Sequence, residues 1–116
     1  MDKAVASIDL AGALKRLDGD TDIYLVLVGV FLEDAPLQME KLGRAIRDND
    51  TGGAVSIAHT LKSGARTVGA MLLGELCAEL ERNMGRDDPE PAGDAFARLL
   101  AEYARVACQL SGNAVC

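Results

Sequence analysis

An all-α fold, an up-down-up-down four-helix bundle with a short extra N-terminal helix, is what this sequence predicts, and three observations carry the prediction. Apolar residues recur every three or four positions along most of the 116 residues, which is the period of one helix face. No segment alternates with a period of two for long enough to make a strand. The apolar fraction is 49%, yet only two Phe, two Tyr and no Trp contribute to it. The core is therefore built from Leu, Val, Ile, Ala and Met, which suit interdigitating helices better than a sheet.

Asp9 is placed to cap the first short helix, which carries Leu10, Ala11, Leu14 and Leu17 and ends near Gly19. Asp20 or Thr21 caps a longer second helix. Its stripe runs through Tyr24, Leu27, Val28, Phe31, Ala35, Met39, Leu42 and Ile46. Pro36 falls inside that stripe, and the donor it removes predicts a kink or a break into two segments. The run 48–53, Asp-Asn-Asp-Thr-Gly-Gly, reads as a turn. A third helix follows, with Ala54, Ile57, Ala58, Leu61, Ala65 and Val68 on one face, and it stops at Gly69. The fourth spans about Met71 to Met84, with Gly85 as its C-terminal cap. Asp87-Asp88-Pro89-Glu90-Pro91 supplies a capping residue and a proline for the first position of the last helix. That helix carries Phe96, Leu99, Leu100, Tyr103, Val106 and Leu110. Short connections make consecutive helices antiparallel neighbours. The whole chain, 1–116, is expected to be one domain, with a core over about 8–110 and a frayed tail at 111–116.

Composition excludes several functions. A net charge of −6 argues against nucleic acid, whose binding needs concentrated Lys and Arg. The most apolar window, residues 23–32, is far shorter than the roughly 20 residues needed to span a bilayer. Met1-Asp2-Lys3-Ala4 does not begin a signal peptide. Cys77, Cys108 and Cys116 show no metal-type or redox-type spacing and are expected to be reduced thiols. A cytoplasmic protein follows, with no membrane and no metal centre. The short lead from Met1 to Ile8 gives the further expectation of a free-standing protein.

His59 is the chain's one imidazole, and so the one side chain whose ordinary pKa lies near neutrality. At 100° per residue it falls roughly 160° from the centre of the apolar face of its helix, so it points to solvent. Val55 and Ser56 lie one turn before it, Lys62 and Ser63 one turn after, and Arg66 two turns on. A neutral imidazole nitrogen is a competent nucleophile toward phosphorus, and nearby cations stabilise the anionic group in transfer. In an arbitrary helix, however, an exposed histidine beside Lys and Arg is ordinary solvated surface.

A resemblance moves the reading beyond that. Ala58-His59-Thr60-Leu61-Lys62-Ser63-Gly64-Ala65-Arg66-Thr67-Val68-Gly69-Ala70 resembles the signature of histidine-containing phosphotransfer (HPt) domains. Ile8-Asp9-Leu10, Arg16-Leu17-Asp18-Gly19-Asp20, Phe31-Leu32-Glu33-Asp34-Ala35-Pro36 and Asp48-Asn49-Asp50 resemble its other segments in register. The likeness implies that His59 is phosphorylated, that Lys62 is its electrostatic helper and that Gly69 closes the helix. By their places around the ring, Ser63 and Arg66 are expected to complete the phosphoryl-stabilising set, and Val55, Ser56 and Gly64, with residues near Pro36, are expected to form the docking patch. Where the family usually has glycine directly after the lysine, this chain has Ser63, and its glycine is one place on at Gly64.

The expected function is a phosphorelay carrier that takes a phosphoryl group on His59 from one receiver-domain aspartate and passes it to another. The expected partners are receiver domains of response regulators and a hybrid sensor histidine kinase. No cofactor is expected on this chain; Mg²⁺ belongs to the receiver. There is no glycine-rich nucleotide loop, so no ATP-dependent kinase activity is expected, and the protein should be a monomer. The rival is a phosphorylation-independent docking or inhibitor module for a sensor kinase or response regulator, which His59→Ala would leave working. A metal or haem bundle is a weak third reading, because one histidine and scattered cysteines supply no converging ligand set.

Overall fold

A computed structural model of the chain describes residues 7–88 and 90–112. Five helices follow in order: α1 (Leu10–Arg16), α2 (Thr21–Arg47), α3 (Thr51–Thr67), α4 (Met71–Asn83) and α5 (Glu90–Leu110). There is no strand among the described residues. Helices α2 to α5 form the bundle. Its most extensive seam is α3 against α4, followed by α4 against α5 and α2 against α3, and α2 and α5 close it loosely.

Aspartates start three of the helices. Asp9, Asp20 and Asp50 accept from the backbone N–H of Gly12, Ile23 and Gly53, each at 3.0 Å, which satisfies one of the donors a helix start leaves open. Asp50 does this so early that Gly52 and Gly53, expected in a turn, form the first turn of α3. The remaining turn is Asp48 to Asp50, with Asn49 at φ 56. Gly69 ends α3 at φ +88, and a Cβ there would lie 2.6 Å from the carbonyl oxygen of Asp9. Only glycine allows that approach, through which the Asp9 N–H donates to the Gly69 carbonyl at 2.8 Å and pins α1 onto the α3–α4 corner.

The break expected at Pro36 does not occur. Helix α2 is one element of 27 residues with Pro36 inside it. A mid-helix proline costs about 3 kcal/mol, but Phe31 and Ala35 before it and Met39 and Leu42 after it are buried in the same core. Burying a large apolar side chain is worth about 1.5–3 kcal/mol, so several of them outweigh the proline.

The fully buried centre holds Leu42, Leu73, Leu80, Leu99, Val68 and Val106. The Tyr24 hydroxyl donates to the Val68 carbonyl at 2.8 Å and ties the start of α2 to the end of α3. One expectation for α5 changes, and one residue joins the core unforeseen. Leu100 is 43% exposed, and Glu102 takes a core position at 1% exposure. One Glu102 oxygen accepts from Arg105 Nε at 2.8 Å, and the other has no partner. Cys108 is disulfide-bonded rather than reduced, while Cys77 is a buried free thiol. Pro89, Cys116 and the tail beyond residue 112 lie outside the described residues.

Candidate functional site

Helix α3 buries Ala54, Ala58, Leu61 and Ala65, and this inward stripe sends His59 outward. Its side chain is 66% exposed, in agreement with the helical arithmetic. The ring is not isolated, because Glu81 of α4 reaches it. Glu81 Oε2 lies 3.9 Å from His59 Nδ1, beside the ring but too far for a hydrogen bond. Lys62 Nζ donates to the other oxygen, Oε1, at 2.7 Å. The Lys62 and Glu81 side chains are only 18% and 19% exposed, so a half-buried ion pair forms the base on which the exposed imidazole stands.

Glu81 was invisible to sequence reasoning. It sits 19 residues from Lys62 on another helix, so no spacing rule along α3 reaches it, and only the pairing of α3 with α4 brings it in. Beneath the pair is Cys77. Burial pushes its thiol up to about 12; Glu81 adds to the rise, while Lys62 and Arg66 oppose it. Cys77 itself is fully buried in the seam below the site.

The other expected residues are distributed differently. Ser63 is exposed on α3, and its carbonyl accepts from the Thr67 hydroxyl at 2.9 Å. Arg66 is exposed, but its arm lies over Gly74 of α4, where a Cβ would be 3.2 Å from its Cγ. Its carbonyl accepts from Arg16 of α1 at 2.5 Å. Arg66 thus leans on α4 one turn beyond Lys62, and among the described residues it has no hydrogen bond to the ring. Gly64 is half-buried against α2, and a Cβ on it would sit 3.2 Å from Phe31 Cδ1.

Gly64 also lines a cleft of about 220 Å³ between α2 and α3, walled by Leu27, Val30 and Asp34 on one side and Thr60 and Thr67 on the other. Val55 and Ser56 do not line this cleft; Val55 is half-buried and Ser56 exposed one turn before the ring. Helix α2 continues the apolar surface outward with the exposed residues Val26 and Val30. Its exposed stripe was the second feature missed. The signal was present as apolar residues on α2 in excess of what one core-facing face needs.

An exposed imidazole midway along a bundle helix, with a cation one turn on and an apolar cleft beside it, defines a phosphotransfer module. The Hpt domain family profile matches residues 26–108, most of the chain, and the chain belongs to the Hpt domain family. No curated protein matches the sequence. Among solved structures it is similar to histidine-containing phosphotransfer protein B (HptB) of Pseudomonas aeruginosa PAO1. The TM-score is 0.83 and the identity 25%, over 94% of this chain and 95% of that one. It shares its fold with the HPT domain of a sensor hybrid histidine kinase from Shewanella, with TM-score 0.80, 21% identity, and 92% of each chain covered. The chain is a histidine phosphotransfer protein of two-component phosphorelay signalling. Domains of this family work with receiver domains and hybrid kinases. Among the described residues no helix is long and apolar enough to cross a membrane, and no group of His, Cys, Asp and Glu is placed to hold a metal ion.

Proposed function

We propose that His59 is the phosphoryl carrier and that Lys62 and Glu81 tune it. In the forward step Nε2 of the neutral ring attacks the phosphorus of an aspartyl phosphate on a receiver domain. An N–P bond forms, the P–O bond to the aspartate breaks, and the aspartate leaves as a carboxylate. Glu81, near Nδ1, favours the tautomer that leaves the Nε2 lone pair free. Lys62 stabilises charge on the transferred oxygens, turning from Glu81 toward the incoming group. Ser63 leaves room for the receiver and has a hydroxyl to offer the phosphoryl group. Arg66 contributes a more distant positive field. Reversal onto a second receiver completes the relay.

The receiver supplies the acidic cluster and Mg²⁺; this chain needs no cofactor of its own and does not take phosphate from ATP. We place the docking surface on Val55, Ser56 and Gly64, extended by the α2 wall of the cleft at Leu27 and Val30. The partners are response-regulator receivers and a hybrid sensor histidine kinase, met by a cytoplasmic monomer that does not bind nucleic acid. The observation that carries this reading is the 66% exposure of His59 above the Lys62–Glu81 pair. Incubation with a radiolabelled phospho-receiver should give an acid-labile, base-stable label on the chain, and His59→Gln should accept none. Undiminished labelling of that variant would falsify the assignment.

A further inference from the structure

Away from His59 the bundle has a second concave surface. Helices α2 and α5 leave an open groove of about 690 Å³ between them. Met39 of α2 and Phe96, Leu100 and Tyr103 of α5 make its floor. Gly43 lets the Phe96 ring lie against α2, since a Cβ there would be 3.2 Å from Phe96 Cζ. Arg44 and Arg47 stand on the rim at the C-terminal end of α2. Both are exposed, and neither forms an ion pair among the described residues. Glu40 stands one turn before them on the same rim. In a chain of net charge −6, this is a cationic end on an apolar trough.

We propose that the groove is a second docking site, which takes an amphipathic helix of a partner protein with carboxylates at one end of its apolar face. Residues 36–47 of α2 span roughly 16 Å, about three helical turns. That length matches a helix docking through apolar anchors at i, i+3 or i+4, and i+7. Two carboxylates a turn apart would meet Arg44 and Arg47, whose forked guanidiniums suit carboxylate oxygens. Glu40 sets the polarity by repelling a helix laid in the other way round. Acidic residues are most favourable in a helix's first turn, so the bound helix runs antiparallel to α2.

The groove and the His59 cleft use flanks of α2 roughly 160° apart at 100° per residue. A receiver on one therefore leaves the other free. The site provides a tether that holds a partner while His59 exchanges phosphate.

The test uses the full chain and a synthetic helical peptide with three leucines at that spacing and two glutamates in its first turn; a control peptide has lysines in their place. By NMR the acidic peptide should shift resonances of residues 36–47 and 96–103. Arg44→Glu/Arg47→Glu should weaken it by about tenfold or more, and Leu100→Glu should weaken it independently. Both variants should stay folded, with the parent helical signal, and keep His59 labelling. Equal binding of the lysine peptide, shifts centred on Thr60 and Thr67, or no binding at all would overturn the proposal. Sedimentation showing a dimer that Leu100→Glu disperses would assign the groove to a second copy and overturn it as well.

Discussion

The α3–α4 seam and the α2–α5 seam belong to one bundle but differ in how fully they close. On the first, α3 buries three alanines and one leucine, and α4 buries Gly74 and Cys77 among three leucines. Interaxial distance follows the side chains at the contact, so these helices approach closely enough for Lys62 and Glu81 to bond across the gap at 2.7 Å. On the second, contact is sparse, and a groove lined by Met39, Phe96 and Tyr103 remains. The difference teaches that the exposed histidine stands over the most extensive helix–helix seam of the bundle. In the role proposed for it, His59 would gain from a well-packed support beneath it.

Truncating one leucine on each side should break the comparison most visibly. Leu80 of α4 is fully buried, and Leu80→Ala should cost about 3 kcal/mol through lost burial and a cavity. Leu100→Ala, at a position 43% exposed, should cost less than about 1 kcal/mol. Urea denaturation measures both, and equal losses would mean that the groove is closed in solution.

Charge removal should separate the seams next. Lys62→Ala should slow labelling from a phospho-receiver roughly tenfold to a hundredfold, the scale for losing one donor to a developing anion. Arg47→Ala on the groove should leave the transfer rate unchanged. A slow Arg47→Ala would show that the groove reaches the chemistry.

How much of this was legible depends on how many helices a feature involves. His59 could be placed outward because its own helix carries the apolar stripe that orients it. The aspartate caps and the Gly69 corner are equally local. Glu81 was not legible, since its role exists only where α4 meets α3. Pro36 allowed a kink or a break by the local rule, whereas α2 continues through it as one helix, with core contacts on both sides. Glu102 was not singled out in the sequence, yet it falls on the stripe of Ala92, Ala95, Leu99 and Val106 that α5 buries.

A smaller effect tests how dry the α3–α4 seam is. Burial raises the Cys77 thiol from its ordinary 9.0 to about 12. Its folded value lies above its unfolded one, so the folded state keeps a proton that the unfolded state loses. The contribution is intact below pH 9 and is lost as pH rises beyond it. Between pH 9 and pH 10 the loss should be about 1 kcal/mol by urea denaturation. Cys77→Ala should flatten that slope while lowering the baseline. Tyr24 and Tyr103, also raised by burial, act mainly from pH 10 upward. An unchanged slope in Cys77→Ala would mean that water enters the seam.

The smallest contrast lies between two glycines. Gly29 is exposed within α2, and a Cβ there would meet nothing within 4 Å. Gly29→Ala should therefore stabilise the protein by about 0.5–1 kcal/mol through helix propensity and lost unfolded-state freedom. Gly64 offers the same propensity gain, but its Cβ would press on Phe31 at 3.2 Å. That ring is buried and packs against Tyr103 with centroids 5.9 Å apart, so it has little room to yield. Gly64→Ala should leave stability unchanged or lower it, and the shifted ring should narrow the cleft beside His59. Thermal melts of the two variants decide the matter. Equal stabilisation would show that Phe31 moves freely, and Gly64 would then be dispensable to the α2–α3 packing.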